Sequence, residues 1–180
     1  MRADYLLNTQ IELILAGMLR DNALALRVML RTGLRISDVL NLKVSQLSRC
    51  FWVTEQKTGK RRAVGLTDDL IKQLKRNAGK SEWCFPSPYD KKKHKTRQAV
   101  WADMKRVSKA LRLPVNASTH SARKVYAVDL MHKYGDIAEV QRALNHDNPT
   151  ITVLYAMADV LVQTLPYRKH PARRVRRKAT

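Results

Sequence analysis

The sequence predicts a mostly α-helical α+β domain with a small antiparallel three-stranded sheet. Apolar residues recur at helical spacing behind capping residues along most of the chain. Two short runs of strand-forming residues, 51–54 and 63–66, flank a polar connection that contains a glycine. A third apolar run, EWCF at 82–85, can supply the remaining strand. With 180 residues the chain is long enough for one domain with a substantial core and too short for two.

Thr9 and Glu12 have the spacing of a capping box and open a helix over 9–19. Asp21 or Asn22 caps a second helix that runs to about Arg31 and stops at Gly33. ISDVLNL reads as a short helix, and FWVTEQKTGKRRAVGL as a hairpin with Lys57 near its tip. Thr67 caps a helix over 68–77. PSPYDKKKHKTRQ is a proline-flanked basic loop that leads into a helix over 98–111. Three further helical segments follow: 121–134 ending at Gly135, 136–144, and one that begins near Pro149 and carries Tyr155. The last stretch, YRKHPARRVRRKAT, has no acid and reads as a flexible basic tail.

Charge names the class of partner. Lys and Arg number 35 against 15 Asp and Glu, a formal +20, which calls for a polyanion, with nucleic acid the default. A basic surface alone gives salt-sensitive binding with Kd of roughly 10⁻⁴ to 10⁻⁶ M and no activity. The loop cations Lys91, Lys92, Lys93 and Lys95, together with Arg97, Lys105 and Arg106 around Trp101, form the expected backbone-binding surface. Lys60 on the hairpin belongs with them. Cys50 and Cys84 lie in apolar surroundings without zinc-ligand spacing and read as buried free thiols. Asn8, Gln10 and Glu12 interrupt the apolar N-terminal run, which argues against a signal peptide, and no stretch reaches the ~20 apolar residues of a membrane span. A reducing intracellular compartment fits this composition.

Taken singly, the residues that could carry chemistry have bland readings. Arg35 stands at the start of a short helix, and His120 and Arg123 open another where the helix dipole favours an anion. Arg123 also heads an apolar face, so its charge needs an anion. His146 precedes the final helix, where Ile151, Leu154, Tyr155 and Ala158 share one face, a spacing that suits a core aromatic as well as a nucleophile. Together these residues match metal-free attack on a phosphodiester. That reaction needs a hydroxyl nucleophile, forked cations on the nonbridging oxygens, and an acid for the departing oxygen. Tyr155, the pair Arg35 and Arg123, and Lys57 fit those roles, since arginine is planar and bidentate while lysine can transfer a proton.

TGLRISDVLNLKVSQL, QKTGKRRAVGL, HSAR and LNHDNPTITVLY, in that order, resemble the successive signature boxes of tyrosine recombinases, the phage-integrase family, over residues 9–160. The resemblance implies a metal-free and cofactor-free catalytic domain acting on duplex DNA. Tyr155 would attack the scissile phosphate to give a 3′-phosphotyrosyl link, with Arg35 and Arg123 as the clamp and Lys57 as the acid. His120 would take the tyrosine proton and His146 would hydrogen-bond the phosphate. Lys60 and Lys43 are rival acids. Ala122 and Asn145 depart from the family's usual boxes. The expected organisation is a catalytic domain over 1–165, without the family's N-terminal core-binding domain, and a basic tail over 166–180. A tetramer on DNA, possible help from DNA-bending proteins, and a bacterial or phage-encoded cytoplasmic protein at the nucleoid complete what the resemblance implies. The competing readings are a type IB topoisomerase-like enzyme and a non-catalytic basic DNA-binding protein.

Overall fold

The structure, a computed structural model, describes residues 3–90, 92–135, 140 and 144. The expected segments over 136–144 and around Tyr155, and the basic tail, otherwise lie outside the described residues. Six helices are described: α1 (Asn8–Gly17), α2 (Arg20–Thr32), α3 (Ile36–Leu40), α4 (Asp68–Ala78), α5 (Arg97–Ala110) and α6 (Thr119–Tyr134). Between α3 and α4 lie a 3₁₀ turn, Val44–Gln46, and the strands β1 (Cys50–Thr54) and β2 (Arg61–Gly65).

Helix α2 is the hub. Its Leu24, Ala25, Leu26, Val28 and Met29 are buried, and it packs on α1, α3, α4, α5, α6 and β2. An amphipathic helix presents only one apolar stripe to a core, so burial over so much of α2 requires neighbours on several sides. Gly33 ends it in the left-handed conformation, φ 65°, and its N–H donates to the Met29 carbonyl at 2.7 Å. No other residue fits here, since a Cβ at Gly33 would lie 2.2 Å from the ring of Tyr126.

Of the caps expected from the sequence, Thr67 stands where it is placed and Thr9 does not: α1 begins at Asn8 with Leu7 as its N-cap, and the Leu7 N–H donates to Gln10 Oε1 at 3.0 Å. Thr67 accepts from the Leu70 N–H on α4, and Thr96 and Ser118 cap α5 and α6. Asp21 and Asn22 differ from expectation because they serve a long-range polar network. Helix α2 begins at Arg20 with Leu19 as its N-cap, Asn22 donates to Asp103 at 2.8 Å, and Asp103 also accepts the Leu19 N–H at 2.8 Å. Buried carboxylates need such partners, and this one fastens α5 to the start of α2.

The hairpin pairs Cys50 with Gly65 through Thr54 with Arg61, antiparallel, and places Lys57 in its turn as expected. The sheet has two strands, and the expected third is a correction. The run divides between two partners, Trp83 bridging to Lys43 and Pro86 to His94, so neither contact extends into a ladder. Cys84 is buried, its thiol pushed up to about 12 by that burial, whereas Cys50 is exposed on the outer face of β1, contrary to expectation. No described helix is long and apolar enough to cross a membrane.

Candidate active site

Arg35 is the N-cap of α3, two residues beyond the left-handed Gly33, and its side chain retains 20% exposure. One turn along α3, Asp38 is buried, and its Oδ1 accepts the Gln56 N–H at 2.9 Å. Gln56 precedes Lys57, so α3 holds the hairpin turn that carries the lysine. Burial pushes the Asp38 carboxyl upward, and Glu55 adds to this against the pull of the Gln56 N–H, Arg35 and Arg123. Glu55, fully buried, pairs with Arg35 Nη1.

Helix α6 contributes from the other side. His120 lies in its first turn, with its N–H donating to the Ser118 hydroxyl at 3.2 Å. Arg123 is 5% exposed and donates from Nη1 to the Gly33 carbonyl and from Nη2 to the Leu144 carbonyl at 3.2 Å. Leu144 packs with Val140 and Ala127, with Tyr126, Leu130 and Met131 around them. His146 and Tyr155 lie outside the described residues.

Arg35, Asp38, Lys57 and His120 line one groove of about 960 Å³ together with Arg97, Trp101 and Lys105 of α5. The cations act on one another there. The imidazole of His120 is held below its usual pKa by loss of solvent, then by Arg123, Arg35, Lys57 and Lys124. It is therefore predominantly neutral at neutral pH and able to accept a proton. Its folded-state pKa is the lower one, so the unfolded chain binds the proton more readily. This site's contribution to stability is therefore lost as pH falls through the two values. In the DNA-free protein the His120 ring is expected to titrate below 6.5 by NMR, and Lys57→Met to move the midpoint upward. An unchanged midpoint would separate Lys57 from this site.

The rival acids are placed differently. Lys43 donates to Glu82 at 2.9 Å and lies over the Trp83 ring at 4.8 Å. Lys60 is exposed beyond the hairpin turn and does not line the groove. Among the DNA-binding candidates, Arg97 and Lys105 line it, and Lys105 reaches Asn116 at 2.5 Å and lies 6.0 Å from the Trp101 ring centroid. Lys92 and Lys93 are exposed on the connection before α5, with Lys93 at 3.6 Å from Asp90, and Lys91 lies outside the described residues. Arg106 braces the fold by donating to Asp103 at 2.6 Å and to the Gly17 carbonyl at 2.9 Å.

Lys95 is a correction. It is 7% exposed, and its ammonium is held by Asp21 and by Asn22 Oδ1 at 3.0 Å, because a buried charge requires partners. Lys95→Met is expected to lower stability by about 1–3 kcal/mol in denaturant unfolding and to leave the salt dependence of DNA binding unchanged. Neutralising Lys92 and Lys93 should instead flatten that dependence by about 0.9 log unit for each phosphate they no longer neutralise. Asp38 and Glu55 are the residues that sequence reasoning missed. Glu55 is the one acid in the basic hairpin 51–66, which is the signal that could have found it.

The phage integrase family model matches residues 4–160. A probable integrase/recombinase of Bacillus subtilis, YoeC, is 32% identical over 135 residues, 72% of this chain and 74% of that protein. The integrase of Escherichia phage P2 is 29% identical over 154 residues, 84% of this chain and 42% of its own length. The chain spans about half the length of several further curated relatives. A structure of a λ integrase dimer bound to a COC′ core site superposes with a TM-score of 0.74 at 19% identity. It covers 96% of this chain and 52% of that one, a likeness of fold.

Proposed function

This chain belongs to the phage integrase family, and on that premise we propose that it is a site-specific tyrosine recombinase that cleaves and rejoins duplex DNA. The observation that carries the proposal is the convergence of Arg35, Lys57 and His120, from three separate segments, on one cationic groove, with Arg123 among the charges that act on His120.

In this reading the scissile phosphate lies in the groove. Arg35 and Arg123 hold its nonbridging oxygens and stabilise the charge that grows there. The Tyr155 oxygen attacks phosphorus while His120 takes its proton, and the bond to the 5′-oxygen breaks as Lys57 protonates it. His146 hydrogen-bonds the phosphate. The phosphotyrosyl link conserves the energy of the broken bond, and a 5′-hydroxyl of the partner duplex reverses the step. Arg97, Trp101 and Lys105 contact DNA flanking the phosphate, with Lys92 and Lys93 farther along the backbone.

Residues 1–165 form the catalytic unit and 166–180 a basic tail. The active assembly is a tetramer on DNA, and the protein works in the cytoplasm at the nucleoid. A λ integrase tetramer bound to a Holliday junction, which shares this fold, supports the tetramer, and the bacterial and phage relatives support a bacterial or phage-encoded protein.

The test is covalent trapping from a pool of nicked duplexes of randomised sequence, so that no site need be known beforehand. A detergent-stable adduct, with the DNA mapped to the peptide that contains Tyr155, is the expected result. A duplex that binds tightly and forms no adduct would reduce the protein to a DNA-binding role.

A further inference from the structure

We propose that Glu55 is a positioning residue for cleavage, whose buried carboxylate sets the orientation of Arg35 and joins it to the turn that carries Lys57. The inference rests on the reading of Arg35 as a phosphate clamp. Glu55 follows directly on β1 and its side chain is wholly buried. Its Oε2 accepts from Arg35 Nη1 and, at 3.2 Å, from the Thr58 hydroxyl, while Oε1 lies 3.5 Å from Arg62 Nε. Its main chain closes the turn. The Glu55 N–H donates to the Lys60 carbonyl at 3.0 Å, and the Glu55 carbonyl accepts the Gly59 N–H at 2.8 Å. One residue thus holds Arg35 by its side chain and the lysine's turn by its backbone.

A guanidinium carries five donors in a fixed plane. With Nη1 committed to Glu55, the plane is set before any DNA arrives, and the remaining donors are left for an anion in the groove. Catalysis by fixed charge depends on this kind of preorganisation, and a misplacement of about 1 Å can cost on the order of 10²-fold. Arg62 gives the arrangement a second role. A buried carboxylate requires cationic compensation, and Arg62 continues to supply it when Arg35 shares its charge with a phosphate.

The pairing can be read directly in DNA-free protein labelled with ¹⁵N-arginine. The Arg35 guanidinium signal, identified by its loss in Arg35→Lys, is expected to show hindered rotation in the wild type and free rotation in Glu55→Gln. Free rotation in the wild type overturns the proposal. On a nicked duplex recovered from the randomised pool, Glu55→Gln is expected to slow adduct formation about 10- to 100-fold and to leave binding within about twofold. In an Arg35→Ala background the same substitution should cost nothing further, because Glu55 acts through that arginine. Losses that multiply in the double variant assign Glu55 to the fold alone and overturn the proposal. If Glu55→Gln does not fold, Glu55→Asp, which keeps the charge and shortens the reach, takes its place in the same cycle. Arg35→Ala that cleaves as the wild type does removes the clamp reading itself, and the positioning role with it.

Discussion

Tyr155→Phe is expected to abolish the covalent adduct while leaving duplex binding unchanged. The substitution deletes one oxygen and conserves the ring, so whatever packing the side chain has is kept. Only the nucleophile is lost. Removing a group that forms the covalent bond costs far more than removing one that stabilises charge, about 10⁶-fold in a serine protease, so the adduct should fall below detection. The control lies in the same chain. Tyr126 is half-buried against Gly33, and Tyr126→Phe should leave the adduct in place. An adduct formed at the wild-type rate by Tyr155→Phe would assign the chemistry to another hydroxyl and return Tyr155 to the core role that its helical face also suits.

Arg123→Ala is expected to reduce cleavage by about 10² to 10³, the scale of removing one preorganised donor from the developing charge. Unlike a purely catalytic loss, this one should carry a folding cost. Arg123 is buried and donates to two carbonyls, of Gly33 and Leu144. Each buried acceptor left unpaired costs about 1–3 kcal/mol, and for a chain of this size each kcal/mol shifts Tm by about 2–4 °C. Arg123→Lys separates the two effects, because an ammonium keeps the charge but cannot span both carbonyls and a phosphate as a fork does. Adduct rate and thermal unfolding, measured on the same preparations, check both. A variant that keeps its Tm and cleaves within tenfold of wild type would remove Arg123 from the clamp.

What the sequence shows of this molecule is what acts over one helical turn. Thr67, Gly33 and Gly135 mark helix ends because a cap bonds its own neighbours. Asp21 and Asn22 look like caps by the same logic, yet their partners Lys95 and Asp103 lie more than seventy residues away, and no local pattern announces them. Lys95 is hidden in a second way. It follows closely on the exposed Lys92 and Lys93, and only the fold shows that this one turns inward. The candidate site divides similarly. Arg35, Lys57, His120 and Arg123 are legible through their ordered boxes, which spacing and composition alone would not single out. Glu55 and Asp38 escape because their role is to hold other residues, and a supporting hydrogen bond leaves no motif. EWCF misleads because an apolar run specifies burial, and both strands and short bridges bury side chains.

Gly33 has a consequence for how this domain tolerates rebuilding. Arg123 hangs from its carbonyl and Arg35 follows two residues later, so one backbone position sets the separation of the two forks. The connections over 86–94 and 111–117 lie outside that linkage. A peptide tag or a whole guest domain inserted at 88–90, where Tyr89 is 98% exposed, leaves the spacing of the forks intact. A single residue added between Gly33 and Arg35 throws the two out of phase, however well the rest of the chain folds.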